Sequence, residues 1–158
     1  MMKLTTKFLN FLDKVGRKRV IMDRVSAEPY LERYYVFLKD RKSFPFNVLL
    51  HKFLKGDPDD VHDHPWPYAT FILKGGYYEW TPTFVNGLKV SETRHWRGPG
   101  HFRICKPESY HRIELKEGVV AWTLFMPGPH KRDWGFLVNN KWINHETYLK
   151  DRHENANS

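Results

Sequence analysis

Short β-like segments, separated by turn signals, follow one another through most of this 158-residue chain. Between residues 18 and 126 there are about nine segments rich in β-branched and aromatic residues, the composition typical of strands. Asn86-Gly87 lies between two of them and is the typical dipeptide of a type I′ hairpin turn. This pattern predicts an all-β fold of jelly-roll type, a single β-sandwich or barrel. The predicted strands are 18–25, 30–39, 44–54, 67–75, 77–84, 88–96, 101–106, 110–115 and 119–126.

The length of the chain suits one domain with one hydrophobic core, which we place over residues 1–158. Residues 3–15 carry apolar side chains at three- and four-residue spacing, which predicts a helix that Gly16 ends. We therefore divide the chain into a helical arm (1–16), a barrel (17–127) and a C-terminal extension (128–158). The helix stripe consists of Leu4, Phe8, Phe11, Leu12 and Val15.

The C-terminal extension contains a second predicted helix, around residues 144–152. Four aromatic residues of the extension have no partner in the strand pattern. We interpret them as a hydrophobic seam that docks this segment, or alternatively as a dimer contact. They are Trp134, Phe136, Trp142 and Tyr148.

The basic charge of the chain does not coincide with its candidate site. The net charge is +8, which by itself suggests a polyanion as partner. Residues 1–50 hold 11 Lys/Arg and 5 Asp/Glu, whereas residues 51–158 hold 15 and 13. Because the excess lies in the N-terminal third, we expect solubility rather than nucleic-acid binding.

Cysteine content and hydropathy bear on the cellular location. Cys105 is the single cysteine, which excludes a disulfide framework and a multi-cysteine zinc site. No apolar run is long enough for a membrane span, and the amphipathic start does not resemble a signal peptide. These features predict a cytoplasmic protein without membrane contact.

Three of the nine histidines have a spacing that suits metal binding. His62 and His64 flank Asp63, and residues two apart on an extended segment point to the same face. Asp63 should then point away, which disfavours a His-x-Asp metal site. In the segment around His111, alternation places this histidine on the apolar face with Ile113. His111 is therefore the candidate third ligand, the alternative being a core histidine with one hydrogen bond.

These residues also carry a resemblance to the cupin superfamily. Gly56, five residues, and then His62-Asp63-His64 match the start of its first motif, and Gly75 falls at that motif's closing glycine. Pro107 to His111 resembles a shortened second motif. The resemblance covers residues 45–127 and implies a single cupin β-barrel.

Four short strings also resemble a subset of small cupin-like proteins common in phage and bacterial genomes. The strings are His-Asp-His-Pro-Trp, Gly-Gly-Tyr-x-Glu, His-Arg-Ile-Glu and Trp-Gly-Phe, and they occur here in that order. The subset implies no particular activity, and a phage-encoded member would act in the host cytoplasm.

The resemblance implies one divalent metal ion, held by His62, His64 and His111. Imidazole ligands suit Fe(II), our first choice, and also Zn(II), Ni(II) or Mn(II). The glutamate of the first motif would fall at Tyr68 or Ala69, neither of which replaces it as a ligand. The site then resembles the three-histidine centre of the superfamily's thiol dioxygenases, unless Glu79 joins as a fourth ligand. Glu79 is alternatively an acid/base group or a structural carboxylate.

Further candidates surround this cluster. Tyr68 is a candidate proton donor, and His51 is a candidate general base or a satisfied core histidine. Arg103 is the candidate for binding a substrate carboxylate or phosphate through its guanidinium fork. Arg112 should face away from the metal and form a surface ion pair with Glu114 or a loop acid.

Three functions are compatible with these residues. The first is a dioxygenase-like oxidoreductase acting on a small molecule. The second is a non-redox cupin enzyme (an isomerase, epimerase or hydrolase), and the third is a protein that binds or sequesters a small ligand without turnover. We also expect a homodimer, because open sheet edges need cover.

Overall fold

The computed structural model describes residues 2–23, 28–41, 43–57 and 60–156. Among these residues, two helices, α1 (Met2–Lys14) and α2 (His145–Ala156), stand at the two ends, and the other regular elements are strands. The strands are β1 (Lys18–Met22), β2 (Pro29–Tyr35), β3 (Leu49–Phe53), β4 (Tyr68–Lys74), β5 (Tyr77–Val85), β6 (Leu88–Arg97), β7 (Phe102–Cys105), β8 (Arg112–Glu114), β9 (Ala121–Pro127), β10 (Gly135–Val138) and β11 (Lys141–Asn144).

The strands form a six-stranded sheet in the order β1-β2-β3-β9-β4-β7 and a three-stranded sheet in the order β6-β5-β8. Every pairing is antiparallel. Strands distant in sequence, such as β3 and β9, are neighbours, as in a jelly roll rather than a meander. The all-β prediction is confirmed, and each of the nine predicted segments overlaps one of β1–β9. Residues 24 and 25 of the first segment lie outside the described residues.

One buried cluster joins the two sheets. The six-stranded sheet contributes Leu31, Phe53 and Ile72, and the three-stranded sheet contributes Tyr77 and Ile113. Both sheets therefore turn an apolar face inward, and alternation along each strand decides which residues point into the barrel. Arg33 and His51, each two residues from a core member, consequently share that inward side.

The turns on either side of β5 contain residues with positive φ. Asn86 and Gly87 have φ of 50° and 78°, which confirms the predicted type I′ hairpin between β5 and β6. Gly75 has φ of 75°, and a Cβ there would lie 2.2 Å from the carbonyl oxygen of Val120. This close approach belongs to the turn from β4 into β5, the strand that carries the buried Glu79.

Helix α1 covers part of the outer face of the six-stranded sheet. Leu12 is buried there against Tyr34 and Leu50, and the half-buried Leu9 packs beside it. Phe8 and Phe11 of the predicted stripe are exposed. The helix itself is confirmed, but within the described side chains its stripe is only partly covered, with Leu12 as the buried member.

The C-terminal extension forms a hairpin, β10–β11, that the sequence analysis did not predict. Its turn uses Asn139 and Asn140, both with positive φ, and asparagine is the side chain that tolerates this region best after glycine. Phe136 is fully buried and stacks on Tyr148 of α2 with ring centroids 4.0 Å apart. Phe136 also forms a backbone bridge with His62, so this member of the predicted aromatic seam docks the extension against the segment that carries the histidines.

Strand β7 is an edge of the six-stranded sheet and exposes Phe102 and Ile104 on its outer side. An open apolar edge of this kind is where the expected homodimer would form, and the dimer stays a prediction. Neither α1 nor α2, the helices of the described chain, has the length and apolar character needed to cross a bilayer.

Candidate metal centre

Three histidine side chains converge at one end of the barrel. The ligating nitrogens of His62, His64 and His111 all lie within 4.8 Å of one another. His62 and His111 form a two-way backbone bridge, with N–O distances of 2.9 and 3.0 Å, which sets their side chains next to each other. The structure thus brings together the three residues that the sequence spacing selected.

The segment that carries His62 and His64 is not a regular strand. It is held instead by single backbone hydrogen bonds on both sides, from Asp63 N to the Gly135 carbonyl and from His64 N to the Pro107 carbonyl. These bonds keep the segment extended, so the two-residue alternation still applies.

Asp63 points away from the histidines, as expected, and anchors the C-terminal hairpin. Its fully buried carboxylate accepts hydrogen bonds from Gly135 N at 2.7 Å and from Trp142 Nε1 at 3.0 Å, and it pairs with Arg132 at 3.2 Å. Burial is the largest influence on this group and raises its pKa. The residue between the two histidines therefore fixes them to β10–β11.

Glu79 lies behind His111 rather than among the clustered nitrogens. Its buried carboxylate is 2.9 Å from His111 Nδ1, and it also pairs with Arg97, at 2.8 Å from Nε, and with Arg103. A carboxylate at Nδ1 holds the proton there and leaves the Nε2 lone pair directed at the cluster. His111 Nε2 is 2.8 Å from His64 Nε2.

Burial also keeps these imidazoles neutral. It lowers the pKa of His111 to about 4, and it lowers the pKa of His64 well below its ordinary value. The proximity of the other histidines lowers the pKa of His64 further. Neutral imidazoles with free lone pairs are the form in which histidine binds a metal ion.

One nitrogen pair of the cluster has nearly the spacing of two ligands on a single metal ion. Two nitrogens bound to one metal at about 2.1 Å lie roughly 3.0–3.4 Å apart for octahedral or tetrahedral angles. The 2.8 Å between His64 Nε2 and His111 Nε2 is close to that range. With no carboxylate in the cluster, Asp63 and Glu79 being otherwise engaged, the donor set within the described residues is three imidazoles.

Tyr68 lies beside the cluster on β4. Its hydroxyl is 3.5 Å from His111 Nε2, and its ring centroid is 4.6 Å from that of His64. Burial raises the pKa of Tyr68 well above its ordinary value, so the hydroxyl keeps its proton. The sequence candidate for a proton donor is therefore placed at the site, with Cys105 buried behind it.

His51 is a buried cavity residue rather than part of the cluster. Its ring stacks on Phe125 with centroids 5.0 Å apart, and its Nε2 accepts a hydrogen bond of 3.0 Å from Arg33 Nε. Burial, reinforced by the neighbouring Arg33 charge, lowers the pKa of His51 well below its ordinary value. His51 is thus neutral and has a hydrogen-bond partner.

Arg103 and Arg112, the two arginines considered in the sequence analysis, both pair with carboxylates of the protein. Arg103 pairs with Glu79, so its guanidinium reaches the site through that carboxylate. Arg112 faces away from the histidines, as predicted, but pairs with Glu92 at 3.1 Å. Glu114, its expected partner, pairs with Arg94 instead, because β6 brings that arginine alongside.

A cavity of about 340 Å³ adjoins the histidines. This volume is at the lower end of the roughly 300–1,000 Å³ typical of small-molecule sites. Its wall includes the three histidines, His51, Tyr68 and Glu79, together with apolar residues such as Phe53 and Phe125. It also includes Arg19 and Arg33, which the sequence analysis did not single out. Arg33 lies two residues after the buried Leu31 on β2, so the two side chains share the inward face of the strand. This two-residue spacing is the sequence signal that could have identified Arg33.

Comparisons with known proteins are informative only at the level of structure. No family model matches the chain, and no curated protein matches it in sequence. Among solved structures, the polyketide cyclase RemF from Streptomyces resistomycificus superposes with a TM-score of 0.56 at 12% identity, over 76% of this chain and 78% of that one. A cupin-2 domain protein from Rhodospirillum rubrum superposes with a TM-score of 0.55 at 11% identity, over 77% and 76%.

The chain has the cupin fold. The superfamily resemblance of the sequence is thereby confirmed at the level of fold, while its match to the phage and bacterial subset stays a prediction. HppE, crystallised with Fe(II) and the alternative substrate (S)-1-HPP, shares the fold with a TM-score of 0.52 at 14% identity, over 71% of this chain and 56% of that one. The three-histidine cluster stands inside this cupin barrel, at one end of its cavity.

Proposed function

We propose that this cupin binds one divalent metal ion through His62, His64 and His111 and acts on a small molecule in the adjoining cavity. The observation that carries the proposal is the convergence of three imidazoles, with ligating nitrogens within 4.8 Å of one another and the Nδ1 of His111 held by Glu79. An Fe(II) ion would supply redox chemistry with O2, our first choice, whereas Zn(II) would supply Lewis acidity. Ni(II) and Mn(II) remain compatible with the same ligands.

The residues around the cluster have distinct tasks in this proposal. Glu79 orients His111, and its pairs with Arg97 and Arg103 hold the carboxylate in place. The apolar wall around Phe125 excludes water from the reacting end of the ligand. Tyr68 holds a proton on its hydroxyl beside His111, where it can be donated to the bound molecule.

A non-redox enzyme is the second candidate, and Tyr68 favours it specifically. A protonated phenol next to neutral imidazoles is an acid beside potential bases, which is the pairing that an isomerase, an epimerase or a hydrolase needs. The fold does not choose between these chemistries, since both a polyketide cyclase and an Fe(II)-bound protein share it. Capture of a ligand without turnover is the outcome if neither chemistry is found.

Metal content tests the site directly. The wild-type protein, the double variant His62→Ala/His64→Ala and the variant His111→Ala are purified in parallel and measured by ICP-MS before and after anaerobic Fe(II) loading. His130→Ala is the matched control, because His130 is exposed and lies outside the cluster. We expect one metal ion per chain in wild type and control, and strong loss in the cluster variants.

Oxygen uptake then separates the candidate chemistries. Uptake by the Fe(II)-loaded protein with a trial substrate, absent from the cluster variants, would support the oxidoreductase. Turnover that proceeds without O2 and depends on Tyr68 would support the non-redox enzyme. Equal metal content in all variants would refute the three-histidine site.

A further inference from the structure

Two arginines stand side by side on the inner wall of the cavity. Arg19 of β1 and Arg33 of β2 are direct partners in the antiparallel register, and both line the cavity. Arg19 is exposed at the mouth, whereas Arg33 is half-buried further in. Like charges placed directly opposite each other destabilise a sheet, so this pair lowers the stability of the fold and is nevertheless present.

Neither guanidinium has an acidic partner among the described residues. Arg33 donates from Nε to His51 and lies within hydrogen-bonding reach of Tyr35, both of them uncharged groups. Burial lowers the pKa of Arg33, and the charge of Arg19 adds to this effect. A partly desolvated cation normally has an anion beside it, because an uncompensated buried charge is costly.

The carboxylates of the cavity wall are already engaged. Asp23 pairs with Lys55 at 3.4 Å, and Asp57 accepts hydrogen bonds from Tyr30 and from Ile113 N. Glu79, the remaining one, is engaged by His111 and two other arginines. The two cavity arginines therefore face a space in which the protein supplies cations but no free anion.

This pair lies in the same cavity as the histidine cluster and close to it. The ring of His51, which accepts the Arg33 hydrogen bond, stacks on Phe125, whose ring centroid is 6.3 Å from that of His64. Arg33 and the cluster are thus separated by two packed rings. A small molecule with a charged end at Arg33 would direct its other end toward the histidines.

We propose that Arg33, assisted by Arg19 at the mouth, binds an anionic oxygen group, a carboxylate or a phosphoryl group, of the cavity's ligand. This inference rests on the proposed function for the ligand's other end at the metal, but the anion site can be tested without metal. A guanidinium fork matches the paired oxygens of both groups, and its geometry gives direction as well as affinity.

The test is anion titration of the metal-free protein, with inorganic phosphate in one series and propionate in the other. Tryptophan fluorescence, to which Trp134 at the cavity wall contributes, reports binding, and thermal unfolding checks that each variant is folded. The variants are Arg33→Gln, Arg33→Lys and Arg19→Gln. Lys74→Gln is the matched control, because this exposed residue loses the same charge away from the cavity.

We expect Arg33→Gln to weaken binding of the preferred anion by roughly tenfold or more, as is typical for loss of a charge-assisted hydrogen-bond pair. Arg33→Lys should recover part of the affinity, Arg19→Gln should weaken binding less, and the control should bind like wild type. The stronger of the two series identifies the ligand's anionic group as phosphoryl or carboxylate.

Three results would overturn the inference: wild type binds neither probe, Arg33→Gln binds as tightly as wild type, or Lys74→Gln loses as much affinity as Arg33→Gln. If Arg33→Gln does not fold, the exposed Arg19→Gln decides, and unchanged binding there counts against the proposal. Metal analysis of the same samples keeps the two proposals apart. Wild type that binds phosphate or propionate but no metal would refute the metal centre and leave the anion site standing.

Discussion

Replacing Glu79 tests how the metal centre is held together. The variant Glu79→Gln keeps the size and shape of the side chain but removes its charge. The amide oxygen can still accept a hydrogen bond from His111 Nδ1, which in wild type lies 2.9 Å from the Glu79 carboxylate oxygen. Two guanidinium groups, of Arg97 and Arg103, lose the carboxylate that each of them pairs with.

The magnitude follows from these contacts. Loss of a carboxylate behind a metal-binding histidine typically costs about 10–100-fold in metal affinity, so we expect about tenfold for Glu79→Gln. Glu79→Ala also removes the acceptor and should approach 100-fold, the upper end of that range. Breaking a buried ion pair costs about 3–5 kcal/mol, but the side chains of Arg97 and Arg103 are 18% and 25% exposed. We therefore expect a stability loss on the order of 2 kcal/mol, or about 4–8 °C in melting temperature.

Metal affinity is measured by competition with a chelator, and stability by thermal unfolding of the metal-free protein. Glu92→Gln is the matched control, because Glu92 also pairs with an arginine, Arg112, but on β6 and outside the cluster. It should leave metal affinity unchanged. If folded Glu79→Gln and Glu79→Ala bind metal as tightly as wild type, then Glu79 does not orient His111 and the reasoning fails.

Two further predictions concern the stability of the site. Asp63→Asn should destabilise the protein by about 1–3 kcal/mol in urea unfolding. The new amide group would place a donor against the N–H of Trp142, and Arg132 would lose its anionic partner. Unchanged stability would show that other contacts hold the hairpin. Acid should also destabilise the metal-free protein, because the pKa of His111 is about 4 in the folded state and lies below its unfolded value. The stability that depends on a neutral His111 is complete above about pH 6.5 and is lost as the pH falls toward 4. Urea unfolding at pH 7 and pH 5 should differ by about 2 kcal/mol from His111 alone, with His64 adding in the same direction, and a His111→Gln variant with the same difference would contradict this.

Much of the fold follows from local chemistry that is readable along the chain. Alternating apolar residues and aromatic-rich segments indicate strands, and Asn86-Gly87 specifies a two-residue turn because both positions need positive φ. The spacing of His62 and His64 places two imidazoles on one side of any extended segment. These features depend on neighbouring residues only, and the structure contains them.

Other features depend on residues that are distant in sequence, and local patterns along the chain do not predict them. The stripe of α1 predicts which residues share one face of the helix but not how much of that face is covered, and the structure leaves Phe8 and Phe11 exposed. The hairpin at Asn139 and Asn140 is a different case, because its turn residues are adjacent in the sequence, yet the sequence analysis did not predict it. Arg112 has the expected orientation but a different partner, since the pairing of β5 with β6 decides which acids lie nearby.

By itself, the sequence determined that this chain is all-β, that His62 and His64 point to the same side, and that Asp63 turns away from them, since each of these follows from the two-residue period of an extended chain. Only the tertiary structure decided where Glu79 and Arg33 go. Strand order places the carboxylate of Glu79 at His111 Nδ1, and the register of β2 with β3 places Arg33 beside His51 in the cavity. The physical reason is that hydrogen bonds and charge pairs act over a few ångströms in space, whereas the partners here stand 32 and 18 residues apart along the chain.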